Sequence, residues 1–323
     1  MIKKLIPVIA FIAGIATAYI INDHRSSIRK FIRNTLTYNA QQTDDCGHWS
    51  IGIYEGPTPF DLAPPPDVRN PVLTCRNVSD VASEFVADPF MIARSDSLYM
   101  FFEVLNKESG HGDIGYATSR DARKWQYHRV VLDETYYLSY PYVFLWDDEY
   151  FMIPESHQDL SVKLYRASSF PEKWEYAATL LSGYHYVDPS IVRRNDTWWM
   201  FVSIPDSDVL NLYYAKELTG PWTPHPMNPI VKFNKHSARP AGRLFDYQGR
   251  LYRVAQDDAP TYGIQVFAYE ITSLSETYYK ERPAASGPLI TKTGSGWNAE
   301  GMHHIDVQHI GGKWIGVVDG RNR

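Results

Sequence analysis

The sequence lacks a marked excess of charge of either sign. Its 323 residues include 32 Lys and Arg against 37 Asp and Glu, which gives a net charge of -5. Nucleic-acid binding needs clustered cationic side chains, and no basic block lies outside the N-terminus, so this pattern argues against a nucleic-acid partner. The low net charge together with 14% aromatic residues also argues against an intrinsically disordered chain.

Cysteine is scarce, with only Cys46 and Cys75 in the whole chain. A disulfide requires Cα atoms within about 7 Å of each other, a distance that a sequence does not give. Export from the cytoplasm would favour a bridge. Two buried free thiols are the alternative, and both interpretations stay open.

Long apolar runs are also rare, and the main one lies at the N-terminus. Residues 5–21 carry no charge, and this length is at the lower limit for a membrane-spanning helix. One interpretation is a transmembrane anchor over residues 1–22 followed by a polar stalk over residues 23–44. By the positive-inside rule, the cations behind the run would then hold the following segment in the cytoplasm.

The second interpretation of this run is a signal peptide. Lys3 and Lys4 form a basic start, and Ala16-Thr17-Ala18 fits the small-residue pattern of a cleavage site. A buried core helix is the third. We expect a membrane-anchored, single-pass or exported protein, with its globular part on the non-cytoplasmic side and the N-terminal segment contacting the membrane.

Aromatic residues and proline, in contrast, are abundant. The chain has 23 Tyr, 9 Trp and 21 Pro, which is typical of a β-rich protein with many turns. A pattern of about fifty residues repeats through it: a polar residue, a proline, an apolar strand, a turn and an aromatic strand. The prolines are spaced by 52, 48 and 51 residues. The units begin at Asp88-Pro89, Tyr140-Pro141, Asp188-Pro189 and Arg239-Pro240, and a fifth unit without proline begins at His304-Ile305.

The second half of each unit repeats as well. A Tyr precedes a Trp by 9 residues in three units, at Tyr116 and Trp125, Tyr165 and Trp174, and Tyr213 and Trp222. Four strands in each of five units predict an all-β, five-bladed β-propeller over residues 45–323. A β-sandwich is the alternative fold, but nothing in a β-sandwich requires a sequence pattern that repeats every fifty residues or so.

The fifth unit has only two strands before the chain ends at Arg323. Two segments ahead of the first unit, Trp49–Ile53 and Pro71–Thr74, are available to complete it. Closing the ring with an N-terminal strand would also remove open sheet edges.

The repeat also places two rings of side chains at one mouth of the central channel. The frame repeats, but the residues at these positions differ and most are ionisable, as expected for a site built on a scaffold. The ring at the start of the first strands is Asp88, Tyr140, Asp188, Arg239 and His304; the ring at the end of the second strands is Glu103, Glu155, Ser203, Gln256 and Asp319.

Each candidate also has a structural interpretation. Asp88 and Asp188 could be turn residues before proline, although their shared register favours a functional pair. Glu103 and Glu155 end apolar strands, where a carboxylate must be solvated or paired; an edge salt bridge is the alternative.

The remaining candidates could bind substrate or hold neighbouring groups in place: Tyr140, Arg239, Arg243 and His304 in the channel, and His236 and Glu300 in the loops entering blades four and five. His303 is expected on the other face of its strand.

Facing carboxylates around a funnel suit glycosidic chemistry. One acid protonates the leaving oxygen and one base activates water, and an inverting enzyme places them about 6.5–9.5 Å apart. Clustered carboxylates also raise one pKa, as a general acid requires. Aromatic side chains would stack on sugar faces; the candidates are Tyr136, Tyr137, Tyr184, Tyr186 and Trp297.

These residues resemble known propellers. The Asp-Pro openings and the Tyr-to-Trp third strands resemble the five-bladed glycosidases, including glycoside hydrolase family 43. The chain looks more like the N-terminal propeller domain of the plant glucosamine inositolphosphorylceramide transferases and their bacterial relatives. That resemblance is carried by Trp49–Gly52, Gly56–Phe60, Ser237–Arg243 and Glu300–His304.

The family 43 resemblance implies an Asp base in blade one and a pKa-tuning Asp in blade three, which match Asp88 and Asp188. It also implies a Glu acid from blade four, where this chain has His236 and Arg239 instead. Glu155 is then the favoured acid, with Glu103 and Glu300 as alternatives. Some family members hold a calcium near a blade-five His, which would correspond to His304. No carboxylate cage is evident from the spacing, so we expect no other cofactor or metal.

The sequence therefore predicts a carbohydrate-active propeller that acts on a glycan or glycolipid. An inverting glycoside hydrolase is the first hypothesis. The second is a non-catalytic glycan-binding module that assists glycan or glycolipid synthesis, favoured by the missing blade-four Glu. A protein-interaction propeller is the third, and it has no need of an ionisable channel ring.

Overall fold

The computed structural model describes residues 46–205 and 208–322. The anchor expected over residues 1–22 and the stalk expected over residues 23–44 lie outside this part of the chain. Among the described residues, no helix has the length and apolarity needed to cross a bilayer. They contain no α-helix and only three short 3-10 turns, at Cys75–Asn77, His157–Asp159 and Gly296–Asn298.

The strands form five antiparallel sheets arranged as the blades of a propeller, which confirms the predicted fold. Each sheet is a meander whose first strand lies nearest the centre. The blades are β3–β6 (Ser83–Arg94, Ser97–Asn106, Gly112–Ser119, Gln126–Leu132), β7–β10 (Ser139–Trp146, Glu149–Ser156, Ser161–Ser169, Lys173–Ser182), β11–β14 (Val187–Arg194, Thr197–Ile204, Val209–Ala215, Thr223–Pro224), β15–β19 (Phe245–Tyr247, Arg250–Asp257, Gln265–Leu274, Tyr279–Pro283, Ile290–Thr291), and a fifth blade of β20 (Ile305–Ile310), β21 (Lys313–Arg321), β1 (Trp49–Thr58) and β2 (Asp61–Ala63).

The ring closes where the two ends of the propeller meet in blade five. Strand β1 pairs with β21 from Trp49 opposite Arg321 to Gly56 opposite Trp314. The segment Trp49–Ile53 thus supplies the third strand, as the sequence suggested. The fourth strand is β2, which follows β1 through a tight turn, whereas Pro71–Thr74 contributes only a single bridge, between Leu73 and Ile51.

Trp297 stabilises this closure. An added Cβ would lie 2.5 Å from its indole ring at Gly52 and 2.4 Å from it at Gly320. Glycine is therefore required where Trp297 packs across the β1–β21 pair. Trp297, one of the aromatic residues expected to stack on a sugar, instead lies against blade five.

The first strands of blades one to three share a bulge at the same position. The register shifts between Ala87 and Phe90, and at equivalent points in β7 and β11. In each blade the residue before proline has a positive φ: 52° at Asp88, 47° at Tyr140 and 53° at Asp188. Such angles are uncommon for residues other than glycine and persist where surrounding contacts hold them.

For Asp88 and Asp188, these contacts include carboxylates at the ends of second strands. Asp319 Oδ2 accepts the backbone N–H of Asp88 at 3.1 Å, across the junction of blades five and one. Glu155 Oε2 accepts the backbone N–H of Asp188 at 3.1 Å, across the junction of blades two and three. We call this arrangement the blade clamp.

The centre of the propeller is filled rather than open. Phe90 is fully buried and packs its ring edge-on against Tyr140 and His304, with centroids 4.8 and 4.6 Å away. Below it, Arg243 lies over the ring of Tyr142, 4.7 Å from its centroid, and pairs with Asp306. This stack separates the two mouths of the channel.

Cys46 and Cys75 form a disulfide with Cα atoms 5.6 Å apart. The bridge joins the residue just before β1 to the 3-10 turn that precedes blade one. It therefore fastens the strand that closes the ring.

We expect loss of this bridge to lower the free energy of unfolding by about 3–4 kcal/mol, because it constrains a loop between residues 29 apart in the unfolded chain. Urea denaturation of Cys46→Ser, Cys75→Ser and the double variant would test this. The double variant should lose no more stability than either single variant. Additive losses would contradict a role for the bridge itself.

Candidate functional site

A pocket of about 230 Å³ lies at the mouth where the second strands end. Three blade carboxyls, one guanidinium, one imidazole and several aromatic side chains meet in it. The residues that line it are Trp49, Phe85, Ala87, Asp88, Glu103, Tyr137, Ser139, Glu155, Arg239, Tyr262 and His303.

Asp88 lies at the base of the pocket and is buried. The bulge of β3 directs its side chain toward two histidines, with Oδ1 3.6 Å from His303 Nε2 and 3.8 Å from His304 Nδ1. Burial raises the pKa of Asp88 well above its ordinary value, and the neighbouring carboxyls add to this effect while the charge of His303 opposes it. Burial therefore favours the protonated form of Asp88.

His303 and Asp319 form a buried ion pair beside Asp88. Nδ1 of His303 lies 2.7 Å from Asp319 Oδ2. Oδ1 of Asp319 accepts the backbone N–H groups of His303 and His304 at 3.1 and 3.0 Å. Burial disfavours both charges, but each partner stabilises the other, so the pKa of His303 is raised and that of Asp319 is lowered.

Glu103 enters the pocket from blade one and accepts a short hydrogen bond from the hydroxyl of Tyr137. Burial raises the pKa of Glu103 to about 8, a shift that Tyr137 opposes and the nearby carboxylates Glu155 and Asp319 reinforce. This carboxyl retains its proton at neutral pH.

Glu155 enters from blade two and has the opposite environment. Its Oε1 lies 2.7 Å from His157 Nδ1, and its Oε2 accepts the backbone N–H of Asp188. Burial disfavours its charge, but His157 and the Arg239 guanidinium together hold the pKa of Glu155 below its ordinary value. This carboxylate is ionised.

Asp188 lies behind Arg239 rather than in the pocket wall. Its Oδ2 accepts hydrogen bonds from Arg239 Nε at 2.5 Å and from Gln256 Nε2 at 3.0 Å. Burial raises the pKa of Asp188 to about 7, although the Arg239 charge acts against the shift and Glu155 adds to it. Asp188 holds Arg239 in place, and the guanidinium lies 5.1 Å from the ring centroid of Tyr262.

The structure brings Asp88, Glu103, Glu155 and Arg239 of the sequence candidates together in the pocket wall. Tyr140 lies beneath it, fully buried, with its hydroxyl bonded to Ser190 Oγ at 2.8 Å. Arg243 lies on the far side of the central stack, in a second cavity of about 430 Å³ at the opposite mouth.

Two candidates from the loops lie outside the pocket wall. His236 is 62% exposed and contacts Asp257 Oδ1 through Nδ1 at 2.8 Å. Glu300 is partly buried, and its backbone N–H donates to the carbonyl of Arg321. The aromatic candidates divide similarly, since Tyr137 lines the pocket but Tyr136 bonds to the hydroxyl of Tyr165.

From the sequence, His304 was expected at the channel mouth and His303 on the other face of its strand, and the structure shows the reverse. His303 lines the pocket and stacks on Trp49 with ring centroids 4.0 Å apart. His304 is fully buried in the central stack. Both precede β20, which begins at Ile305, so strand alternation does not apply to them.

His304 does not fit a calcium site. Its Nε2 donates to the carbonyl of Pro89 at 3.0 Å, and burial lowers the pKa of this ring to about 4. Aromatic rings surround it, whereas calcium takes six to eight oxygen ligands. The described residues contain two groups with metal-ligating spacing, Asp88 with His303 and Asp319, and His111 with Asp113 and Asp133. The first group is already held together by the ion pair.

Sequence reasoning did not single out Tyr262 or His157 and gave Trp49 no site role. Trp49 belongs to the segment Trp49–Gly52, which carried the resemblance to the plant transferase propellers. That resemblance was the one indication in the sequence that Trp49 could belong to a site. His157 follows Glu155 by two residues, directly after β8, and this spacing was a signal for its partner. Tyr262 lies in the β16–β17 loop, and its place in the pocket depends on the ring closing.

Comparison with known proteins agrees with this architecture. A family model described as glucosamine inositolphosphorylceramide transferase 1, N-terminal, matches residues 41–321. Glucosamine inositolphosphorylceramide transferase 1 of Oryza sativa subsp. japonica is 38% identical over 301 residues, covering 86% of this chain and 40% of that protein. The Arabidopsis thaliana protein of the same name is 36% identical over 301 residues, covering 86% of this chain and 39% of that protein. The chain thus spans about two-fifths of the length of these relatives.

Among solved structures, an exo-β-1,3-galactanase from Clostridium thermocellum superposes with a TM-score of 0.51 at 16% identity. The match covers 61% of this chain and 48% of that chain. At this identity the likeness shows a shared fold.

The opposite environments of Glu103 and Glu155 predict stability changes of opposite sign with pH. The folded pKa of Glu103, about 8, exceeds its ordinary value of 4.5, so folding takes up a proton between these values. Wild type should therefore lose stability relative to Glu103→Gln as pH rises from 4.5 to about 8, by at most about 1.4 kcal/mol per pH unit. Above that range the difference should level off.

Glu155→Gln is the matched variant. Because the folded pKa of Glu155 is lowered, its contribution is present above its ordinary value of 4.5 and lost as pH falls through the folded pKa. Wild type should exceed Glu155→Gln in stability at neutral pH and lose that advantage in acid. Urea denaturation from about pH 3 to about pH 9 covers the pH ranges predicted for both variants, and parallel slopes would contradict the assignment.

Proposed function

Because the chain belongs to the family of glucosamine inositolphosphorylceramide transferase 1 N-terminal domains, we propose that its pocket binds the terminal sugar of a glycan or glycolipid and hydrolyses the glycosidic bond beyond it. The observation that carries this proposal is the pairing of a protonated Glu103 with an ionised Glu155 in one pocket. Two carboxyls with pKa values driven apart are what acid–base catalysis of glycoside cleavage requires.

The two carboxyls supply both proton transfers. Glu155 accepts a proton from water as the water oxygen attacks the anomeric carbon. The bond from that carbon to the glycosidic oxygen breaks, and Glu103 donates its proton to the departing oxygen. This single displacement inverts the anomeric centre. His157 and Arg239 stabilise the carboxylate form of Glu155 before the reaction.

These roles differ from the sequence-based hypothesis, in which Asp88 was the base and Glu155 was the favoured replacement for the missing blade-four acid. Burial favours the protonated form of Asp88, and a protonated carboxyl is a poor base. The charges around Glu155 favour its ionised form, which cannot donate a proton. Asp88 instead donates a hydrogen bond to the bound sugar.

The size and wall of the pocket favour a single sugar ring. Its volume of about 230 Å³ is smaller than the roughly 300–1,000 Å³ of pockets for drug-sized ligands. Trp49 and Tyr262 form an aromatic side of the wall with ring centroids 6.3 Å apart. Because one face of Trp49 is already stacked on His303, the apolar surface available to the C–H groups of a sugar is the remainder of these two rings. The carboxyls suit its hydroxyl groups.

The names of the relatives suggest where to look for the substrate. They include glucosamine and inositolphosphorylceramide, an amino sugar and a sphingolipid with an inositol phosphate headgroup. We therefore propose a glycolipid ending in an amino sugar as the first substrate class to test.

A non-catalytic glycan-binding module is the second candidate. It is favoured by Arg239, which occupies the position in blade four where the family 43 pattern has its Glu acid. Arg239 is held by Asp188 and extends toward Glu155, with 4.0 Å between Arg239 Nη2 and Glu155 Oε2. A pocket arranged this way could hold a sugar without cleaving it.

Incubation of the full-length protein with a panel of glycans and glycolipids, with mass detection of released sugar, distinguishes the two. We expect release that falls about 10²–10⁴-fold in Glu103→Gln and in Glu155→Gln, the usual range for removal of a general acid or base. Glu149→Gln is the matched control, since it is half-exposed at the opposite end of the same strand as Glu155.

Three outcomes are informative. Release lost in both variants and kept in the control supports the hydrolase. Release unchanged in both contradicts the proposed acid and base. Sugar binding by calorimetry without release would replace the hydrolase with the binding module.

The pH dependence of kcat/KM provides a separate prediction. The ionised form of Glu155 and the protonated form of Glu103 are both needed, so activity should be bell-shaped. The acid limb should lie below the ordinary Glu value of 4.5, and the alkaline limb near the Glu103 pKa of about 8. An alkaline limb that persists unchanged in the residual activity of Glu103→Gln would exclude Glu103 as its source.

A further inference from the structure

A second cluster of ionisable residues lies in blade one, outside the pocket. His111 and Asp113 flank the start of β5, and Asp133 follows the end of β6. One potential ligand atom from each lies within 4.8 Å of the others. None of the three lines the pocket, and the proposed glycosidase chemistry does not use them.

Asp113 is the unusual member of this cluster. Its side chain is 1% exposed, yet no N–H or O–H group of the described residues donates to its Oδ1. The Asp133 carboxyl lies close enough to interact with it. The Nδ1 atom of His111 also lacks a hydrogen-bond partner in the described part of the chain, and it faces Asp113 Oδ1 at 3.5 Å. A buried carboxylate oxygen is normally hydrogen-bonded or bound to a metal, so this pair points to a missing ligand.

The surrounding chain holds both side chains in place. Asn106 Nδ2 donates to Asp113 Oδ2 at 2.9 Å and leaves Oδ1 open toward His111. The backbone N–H of Asn106 donates to the carbonyl of His111 at 3.0 Å. Outer contacts of this kind orient the ligands of metal sites.

We propose that His111, Asp113 and Asp133 bind one divalent first-row cation, with zinc as the cation that fits best. An imidazole nitrogen and two carboxylate oxygens suit zinc, and three protein ligands leave a position for water. Ligands about 2.1 Å from a tetrahedral zinc lie about 3.4 Å apart, close to the 3.5 Å between His111 Nδ1 and Asp113 Oδ1.

A cation here would tie the start of β5 to the connection between blades one and two. Asp133 begins that connection, and Tyr137 lies in it. The next residue, Leu138, donates its N–H to the carbonyl of Gly112 at 2.9 Å. Since the hydroxyl of Tyr137 bonds to Glu103, the cation would help to position the pocket wall. The binding itself does not depend on the proposed hydrolase.

Zinc binding to the full-length protein tests the proposal. The protein is first stripped with a chelator, then titrated with zinc alone by calorimetry, with bound metal counted by mass spectrometry. We expect one zinc per chain, bound at least tenfold more weakly by Asp113→Asn and by His111→Gln. Calcium should bind wild type at least tenfold more weakly than zinc, because the site offers too few oxygens.

Asp96→Asn is the matched control, an exposed residue in the β3–β4 turn of the same blade; it should bind zinc as wild type does. His111→Gln keeps the test valid if Asp113→Asn fails to fold, since the His111 side chain is 20% exposed. Absence of stoichiometric zinc on folded wild type would overturn the proposal. Equal affinity in wild type and a folded ligand variant would do the same, because the metal would then lie elsewhere.

Discussion

The blade clamp is the interaction on which the rest of this propeller depends. Asp319 and Glu155 each accept the backbone N–H of an aspartate that begins the next blade. These bonds hold Asp88 and Asp188 at positive φ, and that geometry directs one aspartate into the pocket and the other onto Arg239. The same carboxylate oxygens thus join neighbouring blades and fix the positions of the site aspartates. One of them crosses the junction of the first and last blades, which the disulfide and the β1–β21 pairing also secure.

A clamp carboxyl accepts a backbone N–H most strongly in its charged form, and the groups around each clamp favour that form. The acidic residues in and around the pocket are therefore of two kinds. Asp319 and Glu155 each have a histidine within 2.7 Å, and their pKa values fall. Asp88 and Glu103 have similar burial but no equally close cation, and burial raises their pKa values. Carboxyl side chains that lie close together therefore differ in their pKa values and in which of them carry a proton. The difference in protonation among these carboxyls is a consequence of how the blades are joined.

The fifty-residue repeat was sufficient to predict the blades, because each unit must bury the same faces as its neighbours. It also predicted the ring-closing strand at Trp49–Ile53. Exact side-chain placement was not predictable, since alternation along a strand fails where a bulge adds a residue or the strand has not yet begun. His303 and His304 precede β20, and Arg243 precedes the short β15. The protonation states were beyond the sequence for a further reason: His157 and Arg239 meet at Glu155 only in the folded ring.

The filled centre constrains what the pocket can accept. The stack of Phe90, Tyr140 and His304 closes its base, and the cavity that contains Arg243 at the opposite mouth shares no lining residue with it. A ligand must therefore enter and leave by one opening. A chain that ran through the propeller would have to displace three buried rings, whereas the end of a chain needs only the space of one sugar. If the proposed function holds, the fold would select for a terminal sugar, and the remainder of the glycan or glycolipid would stay outside at the rim.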